Sequence, residues 1–323
     1  MQLDPTDSSL DALTEIGRLL QRSGYDFTAV TPETYRRNNA RVRKDGTGTP
    51  RDALRDVFGW NRPFRRGDAP DGVVSLLERA GASKRVGDEL ISTVRYSTLA
   101  GNLFVHSGYP TLEDDSVFFG PDSYRFTAFV ARELAAEPPR SSCRIVDVGC
   151  GSGVGGIVAG RLLAGSSVVL ADINRRALGY ARVNANLARL DIAGFCESDV
   201  LSGVDGAFDL VIANPPYMVD PQARLYRHGG AHQGAGLSLR MLHEGVQRLA
   251  RGGRLLMYTG TAVVAGRDVF FEQAREILRQ AGLRFRYEEI DPDVFGEELD
   301  EPAYADVERI AAVGLVVYAN NAG

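Results

Sequence analysis

The sequence is poor in cysteine and has no long apolar run. Its 323 residues include three cysteines, Cys143, Cys150 and Cys196, an odd number without the spacing of zinc ligands. We therefore expect reduced thiols in a cytoplasmic protein. No apolar stretch approaches the roughly 20 residues needed to span a bilayer, and the first residues lack the basic and apolar regions of a secretory signal. The sequence thus predicts neither a metal site nor a membrane partner.

A strong excess of either charge is also missing. The formal net charge is −5, although the two signs are unevenly spread. Residues 36–66 contain ten Lys or Arg and three Asp, whereas residues 288–308 contain ten Asp or Glu and no Lys or Arg. Because a free nucleic-acid binder usually shows a basic excess, we expect the basic stretch to be a solvated surface, with an RNA or acidic-protein contact as the alternative. The acidic stretch is predicted to be a solvated loop, or else a lip that repels phosphate or attracts a cationic substrate.

What is present is the composition of an ordinary soluble protein, with 44% hydrophobic and 24% charged residues. The length predicts more than one domain. Residues 1–112 are expected to form a small α+β domain, mostly helical with one hairpin, that recognises the substrate. Its predicted elements are helices at 10–20, 51–58 and 73–80, a further helix after Thr31-Pro32, and a hairpin of strands 91–96 and 102–106.

Residues 113–323 alternate between short apolar stretches and amphipathic ones. The predicted strands are 144–148, 167–171, 194–197, 208–213, 254–258, 284–290 and 313–318, and the predicted helices are 155–164, 174–188, 237–250 and 268–281. Such alternation is typical of an α/β fold with a largely parallel sheet and helices on both faces. Only an acidic, Pro-containing loop separates the last two strands, so an antiparallel edge strand is expected there.

The strand predicted at Phe208–Ala213 ends in Asn214-Pro215-Pro216-Tyr217. The Asn214 side-chain oxygen can accept one N–H, and the Pro215 carbonyl, held extended by Pro216, can accept a second. Pro215 stiffens the turn because its φ is fixed, and the Tyr217 ring offers a flat face for stacking. These four residues are therefore the candidate catalytic residues of a site for a planar NH₂ group, either a carboxamide or an exocyclic amine.

A second candidate site is the glycine-rich turn of residues 146–156, which follows the first core strand. Glycines let a backbone approach a ligand closely. The spacing Gly151-x-Gly153-x-x-Gly156 is that of a dinucleotide fingerprint, so NAD is one candidate. Asp147 favours S-adenosylmethionine instead, because a carboxylate at this place suits an amino-acid ammonium better than a pyrophosphate.

Two further aspartates follow the next predicted strands. Asp172 would accept hydrogen bonds from the ribose hydroxyls of either cofactor, with a helix N-cap as the alternative. Asp199, followed by Val200, can meet the adenine amine, with a simple turn residue as the alternative.

With Asp147-x-Gly149-x-Gly151-x-Gly153, Asp172, Asp199 and Asn214-Pro215-Pro216-Tyr217 in this order, the chain resembles the class I S-adenosylmethionine-dependent methyltransferases. Within them it is similar to the small-domain group, which includes release-factor glutamine methyltransferases and ribosomal-RNA guanine and adenine methyltransferases. The resemblance covers residues 115–320 and implies a Rossmann-like, seven-stranded sheet with one antiparallel strand. The cofactor-binding residues that it implies are Asp147, Gly149, Cys150, Gly151, Gly153, Asp172, Ile173, Asp199, Val200 and Asn214, together with Phe119 and Pro121.

Two further stretches resemble this group with departures. Residues 118–124 stand where release-factor methyltransferases carry a Pro-Arg-Pro-Glu-Thr-Glu segment over the active site, but the arginine is absent. Residues 228–238 resemble a Gly-Gly-x-Asp-Gly-Leu stretch without its Asp. The candidate substrate contacts are Tyr124, His228 and Tyr217. His228 and His232 are four residues apart in a Gly-rich stretch without a carboxylate motif, so we expect loop residues rather than metal ligands.

The resulting prediction is an S-adenosylmethionine-dependent N-methyltransferase that acts on a planar amide or exocyclic amine, first of all a protein glutamine-type amide. The alternatives are adenine or guanine N-methylation of ribosomal or transfer RNA, N-methylation of a small molecule, a cofactor-binding regulator without chemistry, and an NAD-dependent oxidoreductase. The basic stretch supports RNA and the acidic stretch opposes it. Intact Asn214 and Tyr217 count against a regulator, and no Tyr-x-x-x-Lys pair or suitable histidine supports an oxidoreductase.

Overall fold

The structure, a computed structural model, describes residues 7–41, 49–139, 142–220 and 222–320. Its N-terminal part contains helices followed by two hairpins. The helices are α1 (Asp7–Arg22), α2 (Pro32–Asn39), α3 (Pro50–Phe58) and α4 (Val73–Arg79). The hairpins join β1 (Ser83–Val86) to β2 (Glu89–Ser92) and β3 (Val94–Leu99) to β4 (Asn102–Ser107). The expected helical region with a hairpin is confirmed.

Local sequence signals set the starts of two of these helices. Thr31 accepts the backbone N–H of Thr34 where Pro32 opens α2. Thr49 and Asp52 cap α3 reciprocally, each side chain accepting the other residue's backbone N–H.

The strand predicted at 91–96 is wrong in one respect, because it divides at Thr93. Ile91 pairs with Lys84 in the first hairpin, whereas Val94 pairs with Ser107 in the second. Two hairpins therefore replace the single one expected.

The rest of the described chain forms a sheet with helices on both faces. The strands are β5 (Arg144–Val148), β6 (Ser167–Asp172), β7 (Gly194–Glu197), β8 (Phe208–Ala213), β9 (Leu249–Val264), β10 (Arg267–Asp268), β11 (Arg284–Asp291) and β12 (Arg309–Tyr318). The helices are α5 (Pro121–Ala136), α6 (Val154–Leu162), α7 (Arg175–Ala188), α8 (Gly236–Gln247) and α9 (Val269–Gln280). The long strands lie in the order β11-β12-β9-β8-β5-β6-β7, and the two-residue β10 pairs with β9. The predicted α/β, Rossmann-like, seven-stranded sheet is confirmed.

The prediction of an antiparallel strand at the edge of the sheet is wrong, because the antiparallel strand lies inside the sheet. β12 runs antiparallel to both β9 and β11, so it sits inside the sheet and β11 is the edge strand. β9 spans sixteen residues, and all ten residues of β12 pair with it. The hydroxyls of Thr259 and Thr261 in β9 bond to Ser238 and Asp268, which satisfies two buried polar groups in the strand.

The N-terminal part packs on α7, which covers the large sheet, through α1 and β4. The Asn184 amide accepts the N–H of Val105 at 2.7 Å and donates to its carbonyl at 3.1 Å. In α1, a Cβ on Gly17 would stand 2.5 Å from the Leu187 side chain, so the two helices touch closely. A domain boundary near residue 112 stays a prediction, although this packing fixes the N-terminal part beside α7.

Helix α5, which the sequence analysis did not identify, connects the N-terminal part to β5. It begins at Pro121, where the Gly120 N–H is bonded to the Ser123 hydroxyl, and it carries the buried carboxylates of Asp122 and Glu133. None of the described helices is both long enough and apolar enough to cross a bilayer. The three cysteines form no disulfide.

Candidate active site

A cavity opens at the carboxyl ends of β5, β6 and β8. In open α/β sheets, ligands bind at this edge. Twelve of the predicted residues line the cavity: Asp147, Gly149, Cys150, Gly151, Asp172, Ile173, Asp199, Val200, Asn214, Pro215, Pro216 and Tyr217. The structure therefore brings the glycine-rich turn and residues 214–217 together, while their individual roles stay predictions.

The glycine-rich turn is shaped for close approach. Gly149 and Gly151 have φ angles of 66° and 53°, which favour glycine. No heavy atom outside the neighbouring residues lies within 4 Å of the place that a Cβ on Gly151 would take. At Gly156, by contrast, a Cβ would stand 2.4 Å from the Leu170 side chain, so this glycine serves helix–strand packing. The backbone of the turn thus borders open space on one side and the sheet on the other.

Two buried carboxylates face this turn. Asp147 is 1% exposed and accepts the Gly156 N–H at 2.7 Å. Burial raises the pKa of Asp147 to about 7, with the nearby Asp172 adding to the shift and the Gly156 hydrogen bond opposing it. Asp172 accepts the N–H groups of Gly151 and Asn174, both at 2.8 Å, and burial raises its pKa as well. Within the described part of the chain, neither carboxylate has an ion-pair partner.

The alternative interpretation of Asp172 as a helix N-cap is wrong. Asn174 caps α7, and its side-chain oxygen accepts the N–H groups of Arg176 and Ala177. Asp172 instead holds the glycine-rich turn through Gly151. Its carboxylate therefore stays at the cavity wall, where a ligand can reach it.

At the other side of the cavity, Asn214 follows β8 and is half-buried. Its side-chain amide has no hydrogen-bond partner among the residues that the structure describes. Tyr217 is 7% exposed, and its ring lies edge-on to Phe295 with centroids 6.0 Å apart. The Tyr217 hydroxyl donates to the buried carboxylate of Asp122. The site thus pairs a free amide with a ring that is held by its hydroxyl.

Three glycines fix the path of the chain around Tyr217. A Cβ on Gly260 of β9 would stand 2.1 Å from the Tyr217 ring. Gly234, with a φ of 91°, and Gly229 approach the Tyr217 backbone so closely that their Cβ atoms would lie 2.1 Å from its carbonyl oxygen and 2.7 Å from its Cα. The Gly-rich stretch after Tyr217 therefore wraps around residues 214–217.

Two aromatic residues predicted at the site lie elsewhere. Tyr124, a predicted substrate contact, accepts the Ala29 N–H through its hydroxyl at 2.9 Å and does not line the cavity. Phe119, a predicted cofactor contact, stacks on His106 with ring centroids 4.9 Å apart. Both side chains contact the N-terminal part, Tyr124 from the first turn of α5 and Phe119 from the segment before that helix.

Three other predicted residues are near the cavity without lining it. Pro121 is the first residue of α5. Gly153, with a φ of 80°, precedes α6, so it has a conformational role. His228 accepts the Asp220 N–H at 3.3 Å through Nδ1, and its role as a substrate contact stays a prediction. No three His, Cys, Asp or Glu side chains in the described part of the chain lie together as a metal site.

Asp199 lines the cavity, but its carboxylate already forms an ion pair. Arg240 of α8 donates to both carboxylate oxygens, at 2.9 and 2.8 Å. The Asp199 side chain is about half exposed. A contact with an adenine amine stays a prediction, and it would compete with this ion pair.

The acidic stretch of residues 288–308, called the lip below, meets the cavity at one residue. Its Phe295 lines the cavity. Glu298 forms an ion pair with Arg227, which also lines the cavity, and Asp291 pairs with Arg125 at 2.9 Å. The negative charge of this lip is thus partly neutralised by Arg227 of the cavity wall and by Arg125 of α5.

Asp122 is a residue of the site that no sequence motif identified. Asp122 is 4% exposed, and it accepts the Tyr258 hydroxyl at 3.0 Å in addition to that of Tyr217. The only signal was its position in residues 118–124, which resemble a segment that covers the active site. Its two partners lie far away in the chain, so no local pattern could identify them.

Comparison with known proteins gives one family match. Residues 114–264 match the family "Methyltransferase small domain". A release factor glutamine methyltransferase of Deinococcus radiodurans is 32% identical over 125 residues, covering 35% of this chain and 44% of the relative. One of Lactococcus lactis is 25% identical over 179 residues, covering 51% and 62%. A ribosomal RNA small subunit methyltransferase C of Serratia proteamaculans is 32% identical over 146 residues, covering 39% and 42%. The resemblance inferred from the motifs is confirmed.

The chain spans about half the length of these curated relatives. Among solved structures, a tRNA methyltransferase of M. jannaschii overlaps with a TM-score of 0.48 at 16% identity, covering 80% of this chain and 69% of that one. An overlap at this level carries no argument about the acceptor.

Proposed function

We propose, from the match of residues 114–264 to the family "Methyltransferase small domain", that the protein is an S-adenosylmethionine-dependent N-methyltransferase acting on a planar amide nitrogen. The observation that carries the proposal is the half-buried amide of Asn214, which shares one cavity with two buried carboxylates. Among residues 7–41, 49–139, 142–220 and 222–320, the amide has no hydrogen-bond partner and the carboxylates have no ion-pair partner. A protein glutamine-type side chain is the proposed acceptor.

The donor set fits S-adenosylmethionine better than NAD. A buried carboxylate without a cation is costly unless a ligand compensates it. The ammonium of the amino-acid part would do so at Asp147, and the ribose hydroxyls would donate to Asp172. The pyrophosphate of NAD would instead place negative charge against Asp147 and Asp172. The open backbone at Gly151 leaves room for close contact.

The residues of this chain mainly orient the acceptor. When bound, the cofactor supplies an electrophilic methyl group on a sulfonium. Asn214 and the Pro215 carbonyl would accept both N–H groups of the acceptor, which raises the electron density on a nitrogen that is otherwise delocalised. These hydrogen bonds strengthen as positive charge develops, so they act on the transition state. Orientation of this kind can contribute about 7–11 kcal/mol in favourable systems, and no dedicated base is required.

The choice of acceptor rests on the relatives and on charge. Two of the relatives are release factor glutamine methyltransferases. The ribosomal RNA relative favours a base as the second candidate. Several arginines of the basic stretch are already paired with carboxylates, which leaves less positive charge for RNA: Arg36 and Arg37 with Glu33, Arg62 with Asp56, and Arg66 with Glu78. The acidic lip beside the cavity also opposes a phosphate backbone.

The acceptor class can be tested with an extract of a deletion strain. Purified protein and radiolabelled S-adenosylmethionine are added, and the label is then followed into protein, RNA and small metabolites. We expect that protease releases the label and that ribonuclease does not. Ribonuclease-sensitive label would move the acceptor to RNA, label in small metabolites would make it a small molecule, and the absence of label in every fraction would favour a non-catalytic regulator. Asn214→Ala protein serves as the matched control.

Cofactor binding should depend on pH through Asp147. The free protein holds this carboxyl with a pKa of about 7, well above the ordinary value of 3.8, because it is buried. The ligand ammonium requires the ionised form, so binding below pH 7 must release a proton. The affinity for S-adenosylhomocysteine should therefore rise as pH increases, be roughly tenfold weaker at pH 6 than at pH 8, and level off above pH 7.

Calorimetry in two buffers of different ionisation enthalpy measures this proton release directly. Asp147→Asn should bind more weakly at every pH and show no proton release near pH 7. The same calorimetry separates the cofactors, since NADH should not bind. An unchanged pH dependence in Asp147→Asn would assign the proton to another group and contradict the role of Asp147.

A further inference from the structure

Asp122 is a buried carboxylate that the proposed chemistry does not use. It lies in the first turn of α5, where its Oδ2 accepts the hydroxyl of Tyr217 and its Oδ1 accepts that of Tyr258 at 3.0 Å. Arg125 also donates to Oδ1, at 3.3 Å. The three elements that meet here are α5, the segment after β8, and β9. A single carboxylate therefore joins the candidate acceptor site to the helix that precedes the sheet.

The contact fixes the orientation of the Tyr217 ring. The ring stands against Gly260 on one side and edge-on to Phe295 on another, and neither contact is directional. The hydroxyl bond to Asp122 adds the direction, because a hydrogen bond to a carboxylate is short and strongly oriented. With the hydroxyl held, the ring cannot swing into the space beside Asn214.

A carboxylate is an expensive choice if packing alone is needed. Burying a charge costs free energy even when it is well hydrogen-bonded, and an apolar residue of similar size is often neutral or stabilising at such a place. Asp122 is only partly compensated by Arg125, which lies between Asp122 and Asp291 of the acidic lip. The cost of burying this charge therefore favours a role of Asp122 in orienting Tyr217 over a role in stabilising the fold.

We propose that Asp122 is a positioning residue for the acceptor: it holds Tyr217 so that the ring forms a fixed wall beside Asn214 and keeps the acceptor nitrogen in line for transfer. The inference rests on the proposed function. It assigns no contact between Asp122 and the reacting atoms, because the residue acts through the Tyr217 hydroxyl. Arg125 also connects Asp122 to the lip, and Phe295 of the lip contacts the Tyr217 ring.

Four variants test this role: Asp122→Asn, Tyr217→Phe, the double variant, and Tyr258→Phe. Tyr258→Phe is the matched control, since it removes the other hydroxyl bond to the same carboxylate and leaves Tyr217 anchored. The measurements are the apparent kcat and the KM for S-adenosylmethionine in label transfer to a fixed amount of extract, the affinity for S-adenosylhomocysteine by calorimetry, and the thermal unfolding midpoint.

We expect Asp122→Asn and Tyr217→Phe each to lower kcat by roughly 30- to 100-fold, as misplacement of a bound group does. The double variant should lose no more than the worse single variant, because both changes remove one interaction. Tyr258→Phe should keep most of the activity, and cofactor affinity should be unchanged in all four.

Two results would overturn the inference. If Asp122→Asn transfers label at the wild-type rate, Asp122 does not position the acceptor. If Asp122→Asn and Tyr258→Phe lose activity, cofactor affinity and unfolding midpoint in parallel, the carboxylate has only a structural role. Wild-type protein that labels nothing in the extract would instead contradict the proposed function itself, so the two failures are distinguishable.

Discussion

Asn214→Ala should lower kcat by about 100- to 1,000-fold, the range seen when one preorganised hydrogen-bonding group is removed from a transition state. The affinity for S-adenosylhomocysteine should stay unchanged. Asn214 follows β8 at the cavity, and its amide has no partner in the described part of the chain, so its removal leaves no unsatisfied group behind. Label transfer to the extract gives the rate, and calorimetry gives the affinity.

Asn214→Asp is the informative companion variant. Aspartate keeps an oxygen acceptor at the same place and has nearly the same size, so the acceptor nitrogen can still be held and the loss should be smaller than that of alanine. A thermal unfolding midpoint close to that of the wild type in both variants would exclude misfolding. If Asn214→Ala methylates at the normal rate, the polarisation of the acceptor nitrogen by residue 214 is wrong.

Asp172→Ala should weaken the binding of S-adenosylhomocysteine by about 3 kcal/mol, or roughly 100-fold in Kd, the loss expected when hydrogen bonds to a charged group are removed. Two effects combine in this variant. The ribose hydroxyls lose their acceptor, and the Gly151 and Asn174 N–H groups lose theirs, which loosens the glycine-rich turn. Calorimetry at pH 8 measures the change away from the titration of Asp147.

Asp199→Ala is the matched control for Asp172, because both carboxylates line the cavity at the ends of neighbouring strands. The Asp199 side chain is about half exposed and bound to Arg240, so its removal should have a much smaller effect on Kd. Asp172→Asn separates the two effects further, since it keeps one oxygen for the turn. Equal losses in Asp172→Ala and Asp199→Ala would contradict the specific role of Asp172.

Much of the fold followed from local patterns, and the errors have identifiable physical causes. The helix predicted at 174–188 begins one residue before α7, and the one predicted at 268–281 is one residue longer than α9 at each end. β9 was predicted at 254–258 and extends over Leu249–Val264, because Gly252, Gly253 and two threonines interrupt its apolar pattern. Pairing with β8 and β12 overrides these weak local preferences.

In the candidate site, too, some residues could be predicted from local patterns and others could not. The glycine-rich turn and residues 214–217 were found from the sequence because each is a short run whose chemistry depends on its own residues. Tyr124 and Phe119 were placed at the site from the same segment as Asp122, yet their side chains contact the N-terminal part. Asp122 and Tyr124 are two positions apart in α5 and so project in nearly opposite directions, whereas Phe119 precedes the helix. Only the packing of α5 decides which side faces the cavity.

By itself, the sequence determined the alternating strands and helices, the glycines with positive φ and the stiff turn after β8, since these properties depend on neighbouring residues along the chain. Only the tertiary structure decided that Asp147 and Asp172 are buried with no ion-pair partner among the described residues. It also decided that Arg240 pairs with Asp199 and that Asp122 holds Tyr217 and Tyr258. The partners of Asp122 are 95 and 136 residues away in the chain. Burial and hydrogen bonding between such distant residues arise only when the sheet and its helices pack together. No local sequence pattern records that packing.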